Sequence, residues 1–135
     1  MKTRTIVACL INKGNEYLFI KQNKKGGAYP DTLHIPGGGL EENETPDEAI
    51  IREVEEEVGI TIKNLIGIGF DWDILPYKGE ETLLIFLQYT AELDQGEAKP
   101  SSDAKSVSWI NKADLALANH NPASVKFLKR LGLLP

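Results

Sequence analysis

Nine residues between Gly38 and Ile60 hold a fixed spacing: Gly38, Glu44, Arg52, Glu53, Val54, Glu56, Glu57, Gly59 and Ile60. Average residue frequencies put a chance match of this pattern, in a chain of this size, at roughly one in ten million. The segment also dictates its own conformation. Thr45 opens a helix, and Pro46 follows at the first helical position, where a missing N–H costs nothing. Glu48 completes a Thr-x-x-Glu capping box, and Asp47 and Glu48 suit the positive end of the helix dipole. Gly59 tolerates a left-handed backbone and ends the run. The spacing predicts a helix from Pro46 to Val58.

At about 100° per residue, Ile50, Ile51, Val54 and Val58 form an apolar stripe expected to face the core. Glu53, Glu56 and Glu57 share the adjoining flank, and Glu48, Arg52 and Glu55 lie on the far side. The i, i+3, i+4 spacing brings three carboxylates within reach of one point. Alone this is unfavourable. Like charges at that spacing repel by a few tenths of a kcal/mol per pair. Lying toward the negative helix end adds roughly 0.3–1 kcal/mol each. A hard divalent cation reverses the sign of all these terms. Mg²⁺ suits such a site because it takes oxygen ligands, keeps several waters and shares substrate phosphates.

The pattern resembles the Nudix box, the signature of enzymes that hydrolyse nucleoside diphosphates linked to another group. The lead-in Leu33–Glu41 and the late strand ending Val107-Ser108-Trp109-Ile110 extend the resemblance, although many members carry tryptophan where this chain has Leu33. The resemblance implies an α/β/α sandwich with a mixed β-sheet and hydrolysis of a phosphoanhydride by water. The substrate would be a nucleoside triphosphate, a nucleotide sugar or ADP-ribose, or a dinucleoside polyphosphate. It implies Mg²⁺ as cofactor, with Mn²⁺ as a substitute, held by Glu53, Glu56, Glu57 and the Gly37 carbonyl. Arg52 and Glu44 would form a supporting pair, Arg52 orienting Glu53 and its neighbours. Glu53 is the first choice for the general base and Glu56 the second. A further ligand is left open among Glu81, Glu97 and Asp103. Two other readings are weaker. A catalytically dead binding domain would leave some box position unfilled, and none is. An isoprenoid diphosphate isomerase would need proton-transfer groups, and the lone Cys9 lies in an apolar run.

Elsewhere the chain reads as strands around that helix. Thr5–Ile11 is a buried strand, Lys13-Gly14-Asn15 a turn, and Glu16–Lys21 its hairpin partner. Residues 22–32 read as a loop, and His34 begins a short strand that breaks into Gly37–Gly39. Thr61–Ile74, bent near Gly67 or Gly69, and Glu81–Leu93 are long strands joined by a loop containing Pro76, Tyr77 and Gly79. Lys105–Ile110 is a short strand and Lys112–Ala118 a short helix. A last helix runs to Leu131, with Val125, Leu128 and Leu131 on its apolar face. Strands, helix, strands, helix suggest a mixed sheet covered on both faces.

Substrate contacts are less marked in the sequence. Lys21, Lys24, Lys25 and Arg4 are candidates for phosphate, and Trp72, Tyr77 and Trp109 for stacking on a base. Pro76 resembles a marker of the ADP-ribose-hydrolysing group, and Tyr77 one of the dinucleoside polyphosphate group. His34 reads as structural.

Of the chain's net −5, residues 41–57 carry nine acids and one base, leaving the remainder at +3. That division suits a small anionic substrate beside a metal-loaded cluster, with no dense basic stripe for a nucleic-acid polymer. At 135 residues one domain is expected. One cysteine excludes an internal disulfide. No run reaches the ~18 apolar residues of a membrane span, and the N-terminus lacks a secretory pattern. The expected address is cytoplasmic, and homodimer formation stays open.

Overall fold

The computed structural model describes residues 1–22, 31–101 and 104–135. Lys24, Lys25 and Asp103, named above, lie outside them. The described strands are β1 (Lys2–Lys13), β2 (Glu16–Gln22), β3 (Leu33–His34), β4 (Gly37–Gly39), β5 (Thr61–Tyr77), β6 (Glu80–Gln95) and β7 (Ala104–Asn111). The helices are α1 (Pro46–Val58), a 3₁₀ turn over Lys112–Leu117, and α2 (Pro122–Arg130).

The sheet runs β3-β2-β1-β6-β5, with β4 on β1 and β7 on β2. β1 and β6 are parallel and the other pairings are antiparallel, so the sheet is mixed. Side chains alternate across it. Val7, Cys9 and Ile11 of β1 join Leu18 and Ile20 of β2 in a core under α1. Leu10 and Phe19 turn the other way and pack with Phe127 and Leu128 of α2. The sheet therefore lies between two helical layers, the α/β/α arrangement that the resemblance implied. β1 reads as continuously apolar because both its faces are covered. Among the described residues, no helix is long and apolar enough to cross a membrane.

α1 begins and ends as its sequence predicts. The Glu48 N–H donates to Thr45 Oγ1 at 3.2 Å and the Thr45 N–H donates to Glu48 Oε1 at 3.1 Å. Gly59 sits at φ 73°. Its buried face differs from the expected stripe: Ala49, Ile50, Val54 and Val58 are buried, whereas Ile51 is 45 % exposed. Ile51 lies about 100° from Ile50, at the edge of the stripe. Ala49 lies as far on the other side, so the helix is rolled toward Ala49. That roll turns Glu53 and Glu57, which fall between Ala49 and Ile50 in projection, inward over β4.

β5 and β6 are longer than expected, and the loop between them shrinks to Lys78–Gly79. Both residues are left-handed, at φ 51° and 80°, the conformation of a type I′ hairpin turn. Pro76 is accommodated because β5 is an edge strand. Pairing shifts register between Gly67 and Gly69, where Gly69 has φ 141°. On α2 the buried residues are Ser124, Phe127 and Leu128. Val125 is only half-buried, since Phe127 is the larger apolar group and takes the centre of the contact.

Candidate active site

β4 brings no side chain of its own to its contact with α1. Gly37, Gly38 and Gly39 pair with Ala8, Val7 and Ile6, and the absence of Cβ atoms lets α1 carboxylates lie on the strand. The Gly37 N–H donates to Glu57 Oε1 at 3.0 Å. A Cβ at Gly38 would collide with the Glu53 carboxylate, and one at Gly39 with the Arg4 guanidinium.

Arg52 ties this arrangement together. Its Nε and Nη2 donate to the two oxygens of Glu44 at 3.0 and 2.7 Å, a planar two-point contact. Nη2 also donates to the Gly39 carbonyl at 3.2 Å. Nη1 donates to Glu53 Oε1 at 2.9 Å and to Glu56 Oε2 at 3.1 Å. Glu44 further accepts the Glu41 N–H at 2.8 Å. The Arg52 contact, reinforced by that backbone donor, holds the Glu44 carboxyl below the usual range. Glu44 in turn raises the already high pKa of Arg52. The expected Arg52–Glu44 pair thus forms, in contact with both Glu53 and the glycine strand.

The three carboxylates on the α1 flank are not equivalent. The Glu53 side chain is 17 % exposed and that of Glu56 is 62 % exposed. Among the described residues, no three His, Cys, Asp or Glu side chains converge as a metal-binding group. The donors nonetheless suit a hard cation. They are all carboxylate or backbone oxygen. Glu53 and Glu57 are braced against a strand with no side chains to obstruct them. The remaining candidates scatter. Ser101 N–H donates to the Glu57 carbonyl at 3.1 Å, so the loop after β6 runs along the end of α1; Glu97 in it is exposed. Glu81 is exposed opposite Pro76, near the β5–β6 turn.

Beside the Gly37–Gly38 strand opens a cavity of about 250 Å³, lined by Gly37, Gly38, Glu57, Trp72, Gln88 and Phe127 among others. Of the expected substrate-contacting residues, Trp72 lies on its wall. Arg4 and Tyr77 line a separate cleft, with the Arg4 guanidinium carbon 5.2 Å from the Tyr77 ring centroid. Lys21 borders neither. Trp109 packs against the core under α1. Cys9 is fully buried, and burial pushes its thiol up to about 12, which makes it inert at neutral pH.

The cavity wall contains residues that the sequence reading passed over. Gln88 stands alone among apolar neighbours in Leu83–Tyr89, and that isolation was the available signal. Asn121 caps α2, its Oδ1 accepting the Ser124 N–H at 2.7 Å. Its Nδ2 is therefore the group that faces His34 Nδ1 at 2.8 Å. The His34 ring nitrogen accepts there, and burial lowers the histidine's pKa. His34 is a neutral bracket between β3 and α2.

The family model described as NUDIX domain matches residues 1–131. The chain is 31% identical to the nucleoside triphosphatase NudI of Escherichia coli strain K12, over 99% of this chain and 100% of that protein. In fold it is similar to a MutT NUDIX hydrolase from Burkholderia pseudomallei, with a TM-score of 0.81, 22% identity, and coverage of 97% of this chain and 99% of that one. A NUDIX hydrolase from Nitrosomonas europaea superposes with a TM-score of 0.80 at 20% identity, covering 97% and 89%. The profile match, the full-length relative and the shared sandwich agree: this chain belongs to the Nudix hydrolase family.

Proposed function

We propose that the protein hydrolyses a phosphoanhydride bond of a nucleoside triphosphate or a related nucleoside diphosphate derivative, with Mg²⁺ as cofactor and Mn²⁺ as a substitute. The observation that carries this reading is the placement of Glu53 against Gly38 and of Glu57 on the Gly37 N–H, on a strand that borders, with Glu57, a cavity large enough for a base. The full-length likeness to a nucleoside triphosphatase supports the choice of substrate.

Glu53, Glu56, Glu57 and the Gly37 carbonyl are the groups that would hold the cation. When bound, the cation neutralises phosphate charge and acidifies the attacking water. The chain's own residues then divide the work. Arg52 fixes the Glu53 carboxylate through Oε1, leaving Oε2 to accept a proton from the attacking water. Glu56 is more exposed and shares the same guanidinium nitrogen, so it ranks second for that role. Glu44 holds the guanidinium in plane, which positions Glu53 without touching substrate. The half-bare strand Gly37–Gly39 offers backbone to the phosphates at close range, and the cavity beside it receives the nucleoside.

The test is turnover of a panel of nucleoside triphosphates, nucleotide sugars and dinucleoside polyphosphates with Mg²⁺ in isotopically labelled water. Turnover of at least one, abolished by chelation and reduced in Glu53→Gln, is expected. The labelled product identifies the phosphorus attacked. No turnover above background on any member, together with no Mg²⁺ binding, would reject the reading.

A further inference from the structure

We infer that the cavity between the sheet and α2 recognises a nucleobase through Gln88, whose Oε1 accepts a hydrogen bond from an N–H on the base edge. The inference deepens the nucleotide reading above and rests on it. Alternation along β6 turns Leu87 and Tyr89 toward α1, whereas Phe86 and Gln88 line the cavity. Gln88 is 3 % exposed. Its Nε2 donates to Asp71 Oδ2 at 2.9 Å. A carboxylate only accepts, so the amide cannot turn over without losing that bond. Asp71 is itself anchored, because Arg130 Nη2 donates to its Oδ1 and to the Phe70 carbonyl, each at 3.0 Å. With Nε2 committed, Oε1 faces the other way, buried and without a hydrogen-bond partner. Such an acceptor is uncommon and requires an explanation; a ligand N–H supplies one.

The rest of the wall favours a flat, mostly apolar guest. Ile6, Ala8, Ile35, Phe86 and Phe127 supply apolar surface. The Asn121 amide is engaged by Ser124 and His34. Trp72, 57 % exposed at the rim, offers an indole face for stacking. At about 250 Å³ the space falls below the roughly 300–1,000 Å³ of sites that enclose a drug-sized molecule. It therefore takes a base and leaves the sugar and phosphates toward Gly37, Gly38 and Glu57. Bases presenting an N–H to Gln88 bind productively, and those without one leave the acceptor unmatched.

Steady-state kinetics test this with matched substrates. Each nucleoside triphosphate that is turned over is compared with an analogue lacking the base N–H: exocyclic amino replaced by hydrogen, or ring imide methylated. For the preferred base, kcat/KM of the wild type falls roughly ten- to hundredfold with the analogue. In Gln88→Met, which keeps the side-chain length and loses the acceptor, parent and analogue become equal. Arg130→Met, acting through Asp71, narrows the gap by raising KM for the parent while kcat holds. Equal turnover of parent and analogue by the wild type overturns the inference. So does a preference that persists undiminished in Gln88→Met, because that would be steric. If Gln88→Met does not fold, the wild-type pairs and Arg130→Met decide. Nucleotide turnover with no analogue effect removes this inference alone; turnover of no nucleotide removes the function proposed above as well.

Discussion

Gly37 and Gly38 are adjacent and chemically identical, yet they obstruct different things. A methyl at Gly37 would meet backbone, including the Ala8 Cα at 2.9 Å, and backbone inside a sheet cannot yield. A methyl at Gly38 would meet the end of the Glu53 side chain, which can rotate away. Gly38→Ala is therefore expected to fold with a melting temperature near wild type and to lose on the order of a hundredfold in kcat, since a displacement of about 1 Å at a reacting group costs that much. Gly37→Ala is expected to lose stability itself, seen as a lowered melting temperature. At Glu44 the effect is one of pH. Its folded-state pKa lies below the ordinary 4.5, so its contribution is fully present above that value and is lost as pH falls through the folded pKa. Glu44→Gln is expected to melt earlier than wild type at pH 7, and the gap should close in acid below pH 4.5. Activity at neutral pH should drop about ten- to a hundredfold, as when a group that orients a metal ligand is removed.

The helix α1 carries its instructions in its own residues. Thr45, Pro46, Glu48 and Gly59 act within a few positions of one another, and the structure places the cap, the box and the left-handed stop where these residues predict. Thr45→Ala leaves the Glu48 N–H without its acceptor and should cost about 1 kcal/mol, read by chemical denaturation. The roll of the helix about its axis is another matter. Ile51 is as apolar as Ile50, and nothing in the segment distinguishes them. Contact with the glycine strand does, since it admits the Glu53 and Glu57 side of the helix most closely. The strands show the same division. The hairpin between β5 and β6 turns on Lys78–Gly79, but Pro76 and Tyr77 look like loop residues until β5 is known to be an edge strand.

Across the whole molecule, two cores share one sheet, and each is completed by one helix. Leu128 of α2 is fully buried in the second core. Leu128→Ala is expected to cost about 2–5 kcal/mol, whereas Leu117→Ala, at 84 % exposure, should stay within about 0.5 kcal/mol. Urea denaturation of the pair measures both. α2 also walls the cavity, so loosening it should raise KM before it lowers kcat. On the function proposed above, the substrate's base and the chemistry fall to separate elements: α1 with β4 for the phosphates, α2 with β5 and β6 for the base.

What the amino-acid order determined by itself was the acidic helix, its ends, the hairpin of β1 and β2 and the shared flank of Glu53, Glu56 and Glu57. These depend on neighbours within one or two helical turns or across a tight turn, and such interactions survive in any surroundings. What only the tertiary structure decided was which carboxylates lie inward, where Trp72, Arg4 and Tyr77 stand relative to one cavity, and how Arg130 and Asp71 orient Gln88. Those contacts join residues 17 to 59 positions apart. Their chemistry depends on which atoms meet once the sheet has closed, a distance that no local spacing encodes.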